Sequence, residues 1–323
     1  MSIVIKERFF MLDKVKTAML SMARYSWEQG VAAQAMMESG DDDVVVGMCY
    51  DAVNRQSADG RLGNLGGQNA VTDPVVIVPS LIHACQLTQD PVLKKALDLA
   101  VNWSLKTGPR NAKGIVYHMD HTRQFWVDSI YMFPATLLAA GYADEAIKQA
   151  DGYIDALWNS DRHLFHHIWD EDKNDFDVAE FWGVGNGWAI AGLSRLIEGL
   201  PPEKKDARKN YIDVVTKTIT AALPLRDQGM FHNFLDKSDS FLELGFGMLM
   251  AYTIAKGVKQ NWLPSDLMAV AEDIRITAHK NVDKWGFVRP CCAAPTFNSP
   301  GIAPEGQAFF ILMESAFAKM EAR

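Results

Sequence analysis

The chain contains no run of about 18 uninterrupted apolar residues, the minimum for a bilayer-spanning helix. Its start, Met1-Ser2-Ile3-Val4-Ile5-Lys6-Glu7-Arg8, has a short apolar stretch followed by charges, with no h-region. Neither a transmembrane helix nor a signal peptide is expected, and the chain reads as soluble and cytoplasmic. Cysteine is scarce: Cys49, Cys85, Cys291 and Cys292 form no CxxC pair, and the adjacent Cys291 and Cys292 cannot easily bond each other. That excludes a disulfide framework, and no His or Cys pairing has zinc-ligand spacing, so no metal is expected. An excess of basic charge is also missing. The 32 Lys and Arg against 40 Asp and Glu give a net charge of −8. Neither a nucleic acid nor a membrane is an expected partner, because phosphate binding needs a basic face. An anionic small substrate would need its own local cluster of Arg, Lys or His. Gly185-Asn186-Gly187 lacks the downstream Lys-Ser/Thr of a phosphate cradle.

What is present is an ordinary globular composition, with 48% hydrophobic, 22% charged and 10% aromatic residues over 323 positions. That length allows one large domain or two small ones. Apolar residues recur at three- and four-residue spacing in twelve segments, residues 9–24, 28–39, 44–57, 74–88, 92–106, 124–140, 142–158, 183–199, 203–223, 240–257, 264–281 and 304–320. Stop and start signals agree, among them Gly40 before Asp41-Asp42-Asp43, Thr72-Asp73-Pro74, and Pro264-Ser265-Asp266. Strand-like alternation is confined to short pieces between helices, so the fold class is all-α.

Those inter-helix pieces resemble one another. Each is a polar turn, usually with Gly, followed by apolar or aromatic residues: Asp59-Gly60-Arg61-Leu62, Lys113-Gly114-Ile115-Val116-Tyr117-His118, Asp161-Arg162-His163-Leu164-Phe165-His166-His167, Gln228-Gly229-Met230-Phe231-His232 and Lys284-Trp285-Gly286-Phe287-Val288. The anchors at 60, 114, 163, 229 and 286 are separated by 54, 49, 66 and 57 residues. A unit of that length holds two helices and one loop, which is a repeating α-hairpin. Twelve helices make six hairpins, and the expected architecture is an (α/α)6 toroid, residues 1–323 forming one catalytic domain. A solenoid would use shorter units and polar capping repeats.

This architecture locates the site. Inner helices of a toroid run parallel, so their N-terminal ends share one face. Asp73 and Asp128 are 55 residues apart, one repeat, and should project from neighbouring inner helices into one cavity. Glu243 and Glu305 hold related positions in later repeats. Acidic residues at helix starts also serve as caps and complement the helix dipole, a reading that suits Asp73 before Pro74. It suits Asp128 less well. Asp128 sits among Phe125, Trp126, Val127, Ile130, Tyr131 and Met132, and a buried carboxylate is costly unless used or paired. Tyr25, Trp27, Tyr117, His118, Trp126, His166, His167, Trp169, Phe181, Trp182 and Trp188 fall on the same segments. Aromatic faces rimmed by Asp, Asn and His describe a carbohydrate cleft, although core packing of the toroid claims a share of them.

Four stretches carry a resemblance: Arg24-Tyr25-Ser26-Trp27-Glu28-Gln29-Gly30-Val31, Gln124-Phe125-Trp126-Val127-Asp128-Ser129-Ile130-Tyr131-Met132, His167-Ile168-Trp169-Asp170 and Phe181-Trp182-Gly183-Val184-Gly185-Asn186-Gly187-Trp188. Together with the closing Gly286-Phe287-Val288 through Ala294-Pro295 and Pro304-Glu305-Gly306-Gln307-Ala308-Phe309-Phe310, the chain resembles glycoside hydrolase family 105. These are the unsaturated rhamnogalacturonyl hydrolases, related to the unsaturated glucuronyl hydrolases of family 88. The resemblance runs from about residue 20 to 318. It implies a six-hairpin toroid acting on an oligosaccharide that ends in a 4,5-unsaturated uronic acid. It further implies that Asp128 is the general acid/base and that Asp73 contacts sugar hydroxyls or orients water. His118 and His167 would line the uronate subsite. Trp188 with Tyr25 or Trp27 would stack on sugar, and Trp126, Met132, Trp182 and Asn186 complete the implied substrate-binding set. No metal or organic cofactor is implied, and the chain is expected to be a monomer or homodimer.

Two places depart from the family: Asp73-Pro74 replaces a more polar segment, and Val184 replaces an arginine. Many members carry Arg where this chain has Val184, and Arg123, Arg289 or the histidine cluster could replace it. Two rival readings are a sugar-epimerase-like six-hairpin enzyme, using His118 with His167 or His232 as acid and base, and a non-catalytic sugar-binding toroid.

Overall fold

The computed structural model of the chain describes residues 3–63 and 69–321, with the backbone alone over 3–10. Its helices are α1 (Ile3–Met22), α2 (Ser26–Ser39), α3 (Asp42–Asn54), α4 (Val78–Thr88), α5 (Pro91–Asn102), α6 (Ser129–Met132), α7 (Pro134–Ala139), α8 (Ala143–Leu157), α9 (Gly183–Gly199), α10 (Lys205–Ala222), α11 (Gly245–Lys259), α12 (Leu267–Lys280) and α13 (Pro304–Glu321). Six hairpins follow: α1/α2, α3/α4, α5/α6–α7, α8/α9, α10/α11 and α12/α13.

The second members of the last three hairpins are buried on nearly every side. Nearly all of α9, α11 and α13 is buried, whereas α5, α8 and α10 bury one stripe and leave the rest to water. A helix apolar all round belongs inside and an amphipathic one outside. The inner helices accordingly pack in sequence, α2 on α4, α4 on α7, α7 on α9, α9 on α11, α11 on α13, and α13 back on α2. That closure makes the (α/α)6 toroid. Small residues set the inner spacing. A Cβ on Gly192 of α9 would lie 2.5 Å from the Ile130 carbonyl oxygen, so α9 approaches α6 backbone to backbone.

The repeat seen in the turns is a repeat in backbone geometry. Gly60, Gly114, Gly229 and Gly286 all have positive φ, and His163 occupies the same left-handed region at 53°. Ser57, Asn111 and Asp283 each donate their backbone N–H to the carbonyl four residues on, at 2.9, 2.8 and 3.0 Å. A left-handed residue closes such a turn, which is why glycine marks it.

The loops hold more strand than the sequence pattern indicates. β1 (Gln124–Trp126), β2 (Trp158–Asn159), β3 (Leu164–Phe165), β4 (Ile168–Asp170), β5 (Asp175–Val178), β6 (Arg226–Asp227), β7 (Met230–His232), β8 (Leu242–Glu243), β9 (Cys291–Cys292) and β10 (Pro300–Gly301) form small antiparallel sheets. β1 pairs with β4, setting Phe125 opposite Trp169, and β4 pairs with β5. Two expected helices are shortened as a result. Residues 124–140 divide into β1, α6 and α7, because Pro134 lacks an N–H and disfavours a helical residue before it. Residues 240–257 begin as β8, and the helix starts at Gly245.

Candidate active site

The inner-helix starts surround a cavity of about 380 Å³, at the lower end of the range for small-molecule sites. Its lining includes Trp27, Asp73, His118, Trp126, Asp128, Met132, His167, Trp182 and Trp188, nine of the eleven side chains singled out in the sequence. Tyr25 and Asn186 are not among them. Tyr25 stands behind the wall, 40% exposed, stacked on Trp27 with ring centroids 4.5 Å apart. Asn186 turns into the fold instead. Its amide accepts from the Phe165 N–H at 2.8 Å and donates to the carbonyls of Phe165 and Trp182 at 3.0 and 2.9 Å, tying β3 to α9.

Asp73 opens a short 3-10 turn, Asp73–Val75, with Pro74 at the second helical position, and Asp128 is the residue before α6. His118 comes from the loop between α5 and β1 and is clamped by its backbone. Its carbonyl accepts from Val71 at 2.8 Å and its N–H donates to Gln124 at 2.9 Å. This places the imidazole between the two carboxyls, Nε2 lying 3.9 Å from Asp73 Oδ1 and Nδ1 lying 3.8 Å from Asp128 Oδ1. Thr72 Oγ1 and Ser129 Oγ lie 2.9 and 3.0 Å from Nδ1. With Ser129 Oγ donating to Nδ1 and Thr72 hydrogen-bonded to Asp73, the ring proton sits on Nε2 and faces Asp73. Trp126 covers the imidazole face, 4.4 Å between centroids and 11° from parallel.

Burial shapes the electrostatics of this wall. It pushes Asp73 up to about 6; His118 pulls the other way, and Asp128 adds to the rise. Asp128 Oδ1 is buried without a hydrogen-bond partner among the described residues. His167, packed against Trp126 and Trp182, is held down to about 4 by burial and is neutral at physiological pH.

The remaining wall comes from Ile168, Val184, Cys292, Pro295, Thr296, Phe297 and Glu305. The segment after β9 brings Phe297 to within 6.1 Å of Trp182, centroid to centroid. No periodicity marks it. Glu305, in the first turn of α13, is 4% exposed, and burial raises it to about 8. Glu243 behaves differently from Glu305. It accepts the backbone N–H groups of Gly245 and Phe246 and caps α11 behind the cavity wall.

Neither arginine offered in place of Val184 reaches the cavity. Arg123 is bound to Tyr117, Glu171 and Asp172, and Arg289 to Asp283. His232, the alternative partner in an epimerase-like pair, lies outside the lining and contacts the Ser240 carbonyl at 2.6 Å. Among the described residues no helix is long and apolar enough to cross a membrane.

The sequence profile of Glycosyl Hydrolase Family 88 matches residues 6–311. The chain belongs to that family. It is a glycoside hydrolase, and the resemblance to families 105 and 88 holds. Among its relatives, unsaturated rhamnogalacturonyl hydrolase YesR of Bacillus subtilis is 26% identical over 280 residues, 78% of each chain. A solved structure from Salmonella enterica, described as a possible member of GH105 family, superimposes with a TM-score of 0.86 at 19% identity, covering 97% of this chain and 93% of its own. A family 105 glycoside hydrolase of C. acetobutylicum gives 0.81 at 19% identity, with 96% and 98% covered. At that identity the two structures speak for the fold.

Proposed function

We propose that this family 88 enzyme removes a 4,5-unsaturated uronic acid from the non-reducing end of lyase-generated oligosaccharides, of the pectin or rhamnogalacturonan type, by hydrating the C4=C5 double bond. The supporting observation is the meeting of Asp73, His118 and Asp128 on one wall of an aromatic cavity, with Asp128 Oδ1 without a hydrogen-bond partner among the described residues. Ordinary glycoside hydrolysis uses an acid paired with a base or nucleophile flanking the glycosidic bond. Here an enol ether is protonated instead. Asp128 gives its proton to C4, positive charge develops at C5, and Asp128 then takes a proton from the water that adds there. The resulting hemiketal opens and expels the aglycone. Asp73, which keeps its own proton to about pH 6, binds sugar hydroxyls or orients that water. Trp27, Trp126, Trp182 and Trp188 supply apolar faces for sugar rings, with Met132 and neutral His167 between them.

Residues 1–323 act as one catalytic domain, cytoplasmic and a monomer or homodimer, with neither nucleic acid nor membrane as partner. This chemistry needs no metal or organic cofactor. The test is loss of the ultraviolet absorbance of the conjugated double bond on a panel of unsaturated disaccharides. Loss with wild type and none with Asp128→Asn supports the reading and ranks the aglycones. Intact absorbance across the panel, with wild type folded, refutes it.

A further inference from the structure

The proposed substrate is an anion, yet no Lys or Arg is among the described residues lining the cavity, which presents three carboxyl groups, Asp73, Asp128 and Glu305. Three ionised carboxylates would repel a uronate. Asp73 and Asp128 belong to the reacting wall. Glu305 does not: it stands on α13, and the inner order α2, α4, α6–α7, α9, α11, α13 puts α13 across the ring from α6.

Its surroundings suit an uncharged acid. From α2 the Trp27 indole N–H donates to the Glu305 carboxyl and Glu28 faces it, Cys291 and Cys292 approach from β9, and Glu243 lies beyond the two thiols. None of these is a cation. Cys291 packs against the same first turn, since a Cβ on Gly306 would fall 2.6 Å from its Sγ. Glu305 Oε2 is buried with no hydrogen-bond partner among the described residues. An orphaned acceptor of this kind is costly as an anion. As a protonated acid, the carboxyl can instead donate an O–H to a ligand. Glu28, the other carboxyl nearby, is occupied, accepting the N–H groups of Arg24 and Tyr25 at 2.6 and 3.0 Å.

We propose that Glu305 is a specificity-determining residue, the neutral acid that donates its O–H to the substrate's carboxylate in a cavity whose described lining holds no Lys or Arg. Substrate recognition is then switched off by alkali, because ionised Glu305 both loses the donor and repels the uronate. The titration falls near pH 8, where burial places this group. Asp73, near 6, has already ionised there, and the uronate is charged throughout.

The inference rests on the function proposed above, and its test separates the two. KM and kcat are measured from pH 6.5 to 9.5 on an unsaturated disaccharide for wild type, Glu305→Gln and Glu305→Leu. Wild-type KM is expected to be flat below pH 7.5 and to climb toward about tenfold per pH unit above 8. Glu305→Gln, whose amide still donates but cannot ionise, shows a moderately raised KM that stays level with pH. Glu305→Leu raises KM by about tenfold to hundredfold at pH 7, the worth of a hydrogen bond to a charged group. A carboxyl-reduced disaccharide, measured as a competitive inhibitor of wild type, binds independently of pH. An alkaline rise that persists in Glu305→Gln, or that the carboxyl-reduced inhibitor shares, overturns the proposal while leaving the hydrolase reading intact. A folded wild type that neither binds nor turns over any unsaturated uronide removes both. Glu305→Gln decides the question if Glu305→Leu does not fold.

Discussion

The two ends of the inner-helix ring bury the same kinds of side chain and treat them oppositely. At the N-terminal end, Asp73 and Glu305 sit in a cavity with no Lys or Arg among its described lining residues, and burial raises both, to about 6 and about 8. At the C-terminal end, Glu38 of α2 is largely buried, and burial pushes it up as well. Lys256, Arg195, Lys319 and the Tyr252 hydroxyl together pull it below its ordinary value. Arg195 meets Glu38 at 2.8 Å, Tyr252 donates to the same oxygen at 2.9 Å, and Lys256 bridges on to Glu198 at 2.6 Å. Tyr131 closes the plug from α6, donating to Gln34 at 2.7 Å. One end surrounds its carboxylate with cations and a hydroxyl, and the other leaves carboxyl oxygens without a hydrogen-bond partner among the described residues. Polar groups that are fully partnered add rigidity, and groups left unpartnered are where substrate or chemistry belongs.

Substitutions can break this contrast. The largest effect is expected at Asp128. Asp128→Asn lowers turnover by about a thousandfold or more, as loss of a general acid/base does, with an unchanged circular dichroism spectrum. At the other end, Arg195→Met leaves Glu38 without its closest cation. It costs about 3 kcal/mol in urea unfolding, while kcat of the folded fraction stays within about twofold, since the plug makes no substrate contact.

Asp73 reverses the usual link between a carboxylate and stability. Its folded value of about 6 lies above the ordinary 3.8, so the native state binds that proton more tightly than the unfolded chain. The benefit is complete below pH 3.8 and is lost as pH rises through 6. Asp73→Asn is therefore expected to stabilise the protein by about 2 kcal/mol at pH 8, with no gain near pH 3.5, and to lower kcat. A destabilising Asp73→Asn at pH 8 would mean that the site is satisfied like the plug. The smallest effect belongs to Asn186. Asn186→Ala strands the Phe165 N–H and costs about 1–2 kcal/mol, with KM unchanged.

The toroid was readable in the sequence because its repeat is written in backbone chemistry. Gly60, Gly114, Gly229 and Gly286 recur where the turn needs a left-handed residue, and the all-round apolar helices after them had to be internal. The proposed reacting wall was readable for the same reason: Asp73 and Asp128 are one repeat apart. Asn186 was misplaced because an amide beside two tryptophans looks the same in sequence whether it faces sugar or backbone. The β1–β4 pairing escaped notice because three residues are too few for an alternation to show. The approach of Phe297 and Thr296 to the cavity had no signal at all, since only the folded path after β9 brings them there.

The most direct measurement runs the reaction in deuterium oxide, quenches it early, and counts carbon-bound deuterium in the released uronate by mass spectrometry. Proton transfer from Asp128 to C4 predicts one deuterium on carbon, gained in step with loss of the ultraviolet chromophore. Cleavage that releases an unsaturated uronate with its chromophore intact and no deuterium on carbon would contradict the account.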